Sequence, residues 1–239
     1  MLNCAGFDLS VDNNLQTSYA MKVINLGATN SVVNTFMEQL RSVEYQKNRT
    51  LFRNNLMRIG HAMAYEVSRT LEYSEKSVQT PLAIKQMETY DDRIVVGTVL
   101  RAGLAFHQGF LDVFDKADSG FVAAYREEGS KENIKIHLDY LASPRLDGST
   151  FLLVDPMLAT GGSLALAYEA FCRNGKPKRL HICVVIASEE GIKRLQEVFP
   201  SDEVTLWTAA IDPELNADAY IVPGLGDAGD LSFGEKVSR

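Results

Sequence analysis

The sequence predicts an α/β fold built on a mainly parallel sheet flanked by helices. Three observations carry that prediction. Residues 151–154, FLLV, form an apolar run without alternation, as expected of a strand covered on both faces. The run feeds an acid, a proline and a small-residue loop, so residues 151–163 read FLLVDPMLATGGS and then pass into helical spacing. Strand and helix patterns alternate from residue 94 to residue 209, which implies right-handed crossovers and helices on both faces.

In chain order, residues 1–30 show little periodicity and are expected to form an extended arm, ahead of one domain over 31–239 that includes a C-terminal loop. Phe52, Leu56, Ile59, Met63, Val67 and Leu71 recur every three or four residues and predict a helix over 49–71. Arg49, Arg53, Arg58 and Arg69 are expected on its solvated side. A buried-type strand follows at 94–100, a helix at 102–114, a strand at 121–125 and a weaker extended segment at 135–141. Between them REEGSKENIK, residues 126–135, is polar and centred on Gly129, which fits either a mobile lid or an ordinary hairpin tip. After the strand at 151–154, Ser163 suits the N-cap of the next helix. A strand at 180–187, a helix at 189–198 and a strand at 204–209 complete the alternation.

Composition narrows the class. With 239 residues, 46% of them hydrophobic, the chain can bury a substantial core. A formal net charge of -7 argues against a nucleic-acid surface, which needs clustered Lys and Arg. Cys4, Cys172 and Cys183 lack metal-ligand spacing and are expected to be reduced thiols in a cytoplasmic protein. The first residues, MLNCAGFDLSVDNN, have no basic or apolar signal regions, and no run approaches the length of a membrane span.

Three loops carry the chemistry. Asp155 follows a buried strand, where open α/β sheets hold ligands. Gly161 and Gly162 let backbone N–H groups turn inward at a helix start, and Thr160 and Ser163 add hydroxyl donors, so this loop is expected to cradle a phosphate. It is not a Walker loop, because no lysine lies between Asp155 and Ser163. Arg101, Ala102 and Gly103 follow the strand at 94–100, and the arginine suits either a second phosphate or a structural cap. Residues 224–230, GLGDAGD, fit either a hard cation or main-chain recognition of a small flat ring, which glycine's lack of bulk allows.

Taken together, these segments resemble the uracil phosphoribosyltransferases, a family of type I phosphoribosyltransferases. VDPMLATGGS over 154–163 resembles that family's ribose-5-phosphate loop, including the proline after the acid. VLRAGL over 99–104 resembles its pyrophosphate loop, and YIVPGLGDAGD over 220–230 its uracil loop, the most specific of the three. The likeness runs from about residue 49 to 236 and takes in AYEVSRTLEY, the pair Tyr125–Arg126, EGI at 190–192 and AAIDPELN at 209–216.

The resemblance implies a type I phosphoribosyltransferase fold with a small hood formed by N- and C-terminal segments. It implies that uracil and 5-phospho-α-D-ribose 1-diphosphate (PRPP) give UMP and diphosphate. Asp155, Pro156, Met157, Leu158, Ala159, Thr160, Gly161, Gly162 and Ser163 would hold ribose and its 5-phosphate. Arg101 and Arg126 would pair with the diphosphate, Asp227 would reach PRPP, and Ile221, Gly226, Asp227 and Ala228 would bind uracil largely by main chain. Arg101, Asp155 and Asp227 are thus the expected catalytic residues, and Asp227 or Asp230 the candidate to handle the N1 proton. Mg²⁺ is expected on the diphosphate, held mostly by substrate and water rather than by protein ligands. A homodimer or higher homo-oligomer is implied, and activation by GTP is left open. The chain departs from the family in two stretches. Residues 136–144, IHLDYLASP, lack a lysine the family often has, and Leu231 stands where a basic residue is common. The rival readings are an RNA-binding regulator on the same fold and a phosphoribosyltransferase for another pyrimidine such as orotate.

Overall fold

The computed structural model describes residues 21–126, 136–199, 201 and 203–236, without side chains at 124–126 and 136–139. It opens with β1 (Lys22–Asn25), α1 (Val32–Arg41), α2 (Val43–Gln46) and α3 (Arg49–Ser68). A hairpin, β2 (Tyr73–Gln79) and β3 (Ile84–Tyr90), precedes β4 (Ile94–Leu100), α4 (Leu104–Val113), β5 (Asp118–Arg126) and β6 (Ile136–Ala142). Then come β7 (Thr150–Leu158), α5 (Gly162–Phe171), β8 (Arg179–Ser188), α6 (Glu189–Val198) and β9 (Val204–Asp212). The chain closes with β10 (Glu214–Leu215), β11 (Ile221–Val222) and α7 (Ala228–Phe233).

Seven strands form one sheet in the order β1-β9-β8-β7-β4-β5-β6, parallel throughout except for β6, which runs antiparallel to β5 at the edge. Alternate strand residues feed opposite cores. Val96, Leu152, Val154, Cys183, Val185 and Trp207 join α1, α3 and α4 on one face. Their neighbours Val95, Phe151, Leu153, Ile182, Val184 and Leu206 meet Leu164, Ala167 and Phe171 of α5 and Leu195 of α6 on the other. Both faces are covered, which is why these strands read as unbroken apolar runs. Helices α3 and α4 cross closely, because a side chain on Gly60 or Gly109 would strike the other helix's backbone.

Several expectations change on contact with the structure. Residues 22–25, assigned to the arm, form the edge strand β1 against β9, while residues 1–20 lie outside the described residues. The strand expected to end before Asp155 continues through Pro156 to Leu158, because Met157 and Leu158 still pair with Ile186 and Ala187 of β8. Ser163 is not the N-cap of α5. That position is Gly161, in the left-handed region at φ 79, and Ser163 sits inside the first turn. Of the three arginines within α3, Arg53 is half-buried: it donates to Ser232 O at 2.6 Å and lies over the Phe233 ring, tying the helix to the C-terminal segment, while Arg69 is the C-cap. Cys172 and Cys183 are free, the first in a turn after α5 and the second buried in β8, and Cys4 lies outside the described residues.

The hood expected over the sheet is present. The N- and C-terminal segments meet there, since Arg41 at the end of α1 bonds Asp212 and Gly224 O, Gln46 of α2 bonds Leu225 O, and α7 packs on α3. No described helix is long and apolar enough to cross a membrane.

Candidate active site

The phosphate loop is shaped by its neighbours. Gly161 turns the chain from β7 into α5, and the first N–H groups of the helix, at Gly162, Ser163 and Leu164, have no earlier turn to bond to. The first bond inside the helix runs from Ala165 N to Gly161 O at 3.1 Å. From behind, Ser188 donates its hydroxyl to Ala159 O at 2.6 Å and accepts from Gly191 N at 2.9 Å. One side chain thus caps α6 and fixes the loop. Gly191 must be glycine because a Cβ there would collide with Ala159 O. That gives the EGI segment its physical meaning.

Asp155 lies beneath this loop with 9% of its surface exposed. Its only partner among the described residues is Met157 N, which donates to Oδ1 at 3.3 Å. Burial pushes its carboxyl up to about 7, partly opposed by that hydrogen bond. A desolvated carboxylate without a cation has acceptor capacity to offer a ligand.

Arg101 projects from the end of β4, after a cis peptide between Leu100 and Arg101. Its Nη2 lies 3.2 Å from Asp230 Oδ1 and donates to Gly234 O at 3.2 Å, so the arginine bridges the sheet and the C-terminal segment. On the far side, β11 leads through a cis bond to Pro223 and into Gly224, Leu225 and Gly226. Asp227 then caps α7 by accepting from Asp230 N at 2.8 Å.

Two cavities meet between these loops. The larger, about 810 Å³, is lined by Asp155, Met157, Leu158, Ala159, Thr160, Gly161, Ser163 and Leu164, with Asp218, Ala219, Tyr220, Asp227 and Lys236 opposite. The smaller, about 160 Å³, is lined by residues 99–102, Asp155, Met157, Asp227, Ala228, Gly229 and Lys236. The three segments singled out in the sequence therefore converge on one cleft. Pro156 and Gly162 line neither cavity, and neither does Ile221, which is 3% exposed and belongs to the core. Gly226 instead faces a separate hollow with Gln46, Lys47 and Arg49. The Arg126 side chain and residues 127–135, read as either a lid or a hairpin tip, lie outside the described residues.

Lys236 was missed by sequence reasoning although it lines both cavities. A single lysine beyond Gly234 has no spacing to mark it, and only folding of the last segment over the cleft brings it there. Asp218 and Ala219 were missed as well, and Tyr220, which opens the base-loop segment, lines the larger cavity beside them. Among the described residues no group of three or more His, Cys, Asp or Glu side chains is arranged to hold a metal ion.

The same segments recur in known proteins. A profile of the family described as uracil phosphoribosyltransferase matches residues 28–235. The uracil phosphoribosyltransferase of Porphyromonas gingivalis is 46% identical over 217 residues, 91% of this chain and 100% of that protein. That of Pyrococcus furiosus is 41% identical over 189 residues, 78% of this chain and 80% of that protein. Among solved structures, the AQ2163 protein from Aquifex aeolicus matches with a TM-score of 0.80 at 32% identity, covering 90% of this chain and 100% of that one. Such coverage, together with the convergence of the three loops on one cleft, leads to one conclusion: the chain belongs to the uracil phosphoribosyltransferase family.

Proposed function

We propose that the chain transfers the phosphoribosyl group of PRPP to uracil, giving UMP and diphosphate in pyrimidine salvage. The bond from ribose C1 to the diphosphate oxygen breaks, a bond from C1 to uracil N1 forms, and the N1 proton is released. The observation that carries this reading is the junction of the two cavities, where Asp155, Met157, Asp227 and Lys236 line both. A sugar seated there has its phosphate under the loop and its anomeric carbon toward the smaller cleft.

The 5-phosphate sits against the N–H groups of Gly162 and Ser163 and the hydroxyls of Thr160 and Ser163. Asp155 accepts from the ribose hydroxyls. Negative charge grows on the departing diphosphate, and Arg101 and Arg126 meet it with bidentate hydrogen bonds, Arg101 exchanging its present contacts with Asp230 and Gly234. Lys236 adds a third cation at the rim. Asp227 and Ala228, which line the smaller cavity, hold uracil by their main chain and aim N1 at C1, while Ile221 and Gly226 support them from behind the cleft wall. Asp227 or Asp230 is the candidate to take the N1 proton. The residues present fit Mg²⁺ held mostly by diphosphate and water, since the cleft offers Asp155 and Asp227 but no cage of ligands. When bound, the ion supplies positive charge to the leaving group.

The reading extends to a cytoplasmic homo-oligomer. An exposed β2–β3 arm supports self-association, because two strands with both faces in water are marginal alone. The deciding assay incubates the protein with PRPP, Mg²⁺ and uracil, orotate, cytosine or hypoxanthine in parallel, with and without GTP, and measures diphosphate release. Uracil is expected to support turnover. Release with orotate alone, or none with any base, overturns the reading.

A further inference from the structure

The hood contains an ion pair that lines neither cavity of the cleft yet holds the base loop. Arg41, the last residue of α1, places Nη1 and Nη2 on the two carboxylate oxygens of Asp212, the last residue of β9, each at 2.7 Å. The same Nη1 donates to Gly224 O at 3.0 Å, and Gly224 N donates to Asp212 Oδ2 at 2.7 Å. Guanidinium, carboxylate and glycine thus close a ring in which both backbone polar groups of Gly224 are engaged. Gly224 itself sits at φ 63, and a Cβ there would strike Ile221 O. One turn away, Gln46 Nε2 bridges Leu40 O and Leu225 O, both at 2.7 Å. Two successive carbonyls of the base loop are therefore fastened to the N-terminal helices.

This pair is costly if its only purpose is stability. The side chain of Asp212 is 6% exposed and that of Arg41 27%, and buried ion pairs rarely stabilise more than apolar packing would. What a planar, bidentate chelate supplies is fixed geometry. Because the ring engages both polar groups of Gly224, and Gln46 engages the carbonyl of Leu225, the unengaged peptide groups of this loop begin at Leu225 N–H. Those groups are aimed by the clamp two residues before them.

We propose that Arg41 and Asp212 are positioning residues for the nucleobase, acting through Gly224 to orient the peptide groups of Gly226, Asp227 and Ala228. The inference rests on the assignment of that loop to uracil. It predicts that loosening the clamp weakens uracil and blurs the choice of base while leaving the distant phosphate loop intact.

The test compares Arg41→Lys and Asp212→Asn with Gly229→Ala, which adds a methyl group to the cleft wall 3.1 Å from Asp227 Oδ1 of the base loop and 3.7 Å from Ala102 Cβ. Steady-state constants are measured for uracil and PRPP, together with the uracil-to-cytosine ratio of kcat/KM and the melting temperature. Arg41→Lys and Asp212→Asn are expected to raise KM for uracil about 10- to 100-fold, the cost of a slightly misplaced ligand, and to lower the base ratio, with KM for PRPP changed less than about twofold. Arg41→Ala should regain part of its uracil affinity when guanidinium is added, which a general loss of folding would not allow. Equal rises in both KM values overturn the proposal, as does wild-type KM for uracil in both clamp variants while Gly229→Ala raises it. If Gly229→Ala and the clamp variants all keep the wild-type value, the uracil assignment of the loop falls, and the proposal with it.

Discussion

A carboxylate buried without a cation beside it costs folding energy, and Asp155 is such a group. Its folded pKa, pushed up to about 7, stands above the unfolded value near 3.9. Between those two values the unfolded chain has released a proton that the folded chain keeps, so stability falls as pH rises through the window and is lowest above it. Asp155→Asn keeps an oxygen for Met157 N and removes the ionisation. Its melting temperature should match wild type near pH 4 and exceed it above pH 7, by a gain on the order of 2–4 kcal/mol in calorimetry or denaturant titration. The same change should lower kcat/KM for PRPP about 100-fold, since the neutral amide replaces one of the two acceptor oxygens with an NH₂ donor while Met157 N already bonds the other. In the wild type, kcat/KM for PRPP should climb as pH rises toward about 7 and the carboxyl ionises. A flat profile, or an Asn variant with wild-type rates, removes Asp155 from the site. Arg101→Ala is a parallel case: it loses the group aimed at the leaving diphosphate and should lower kcat/KM by a similar factor, measured by diphosphate release.

At the scale of elements, the phosphate loop and the base loop are held by different neighbours, and this makes their defects separable. A Cβ on Gly191 of α6 would collide with Ala159 O and come to 3.0 Å from Leu158 O. Gly191→Ala should push the loop forward and raise KM for PRPP by about tenfold while KM for uracil stays within about twofold, the reverse of the Arg41 variants. Equal effects on both substrates would mean that the loops move as one body. The elements legible in the sequence are those whose own residues specify them. The strand Ile94–Leu100 and the helix Glu189–Val198 carry their signal locally, as an apolar run and as a Ser188 cap ahead of an amphipathic face. The apolar run that stops at Val154 suggested an early end to β7, but the pairing of Met157 and Leu158 with β8 prevailed. The N-cap of α5 fell to Gly161 because its left-handed backbone, rather than a hydroxyl, makes the turn. The short strand β1 exists only because β9 offers an edge, so four residues of ordinary composition could not announce it. Among the site residues, Asp155, Arg101 and the Gly224–Asp227 turn were legible because each follows a strand in a compact motif. Lys236 and the Arg41–Asp212 clamp were not, since the clamp joins residues 171 positions apart.

For the whole molecule, the β2–β3 arm is the feature a single chain leaves unexplained. Its register pairs Gln79 with Ile84, Ser77 with Gln86 and Glu75 with Glu88 on one face, and Val78 with Lys85 and Lys76 with Met87 on the other. Neither face has a core beneath it. Leu82 at the tip is 96% exposed and Ile84 67%, while Glu75 and Glu88 place like charges opposite each other. Apolar side chains at the tip of a two-stranded ribbon gain most by entering a second molecule, and a second copy of this chain always offers a complementary one. The base is anchored on the sheet side by the Lys76–Asp91 ion pair and by Asp92, which accepts from Glu72 N at 2.8 Å and from Thr150 Oγ1 at 2.6 Å. An arm fixed at its root and apolar at its tip is a lever for association, so Leu82→Asp with Ile84→Asp should shift the wild-type oligomer to monomer in sedimentation velocity. Far-UV circular dichroism should be nearly unchanged, because the substituted residues pack against nothing within the chain. An oligomer that survives the double substitution assigns self-association to another face, and a wild-type monomer removes the homo-oligomer altogether.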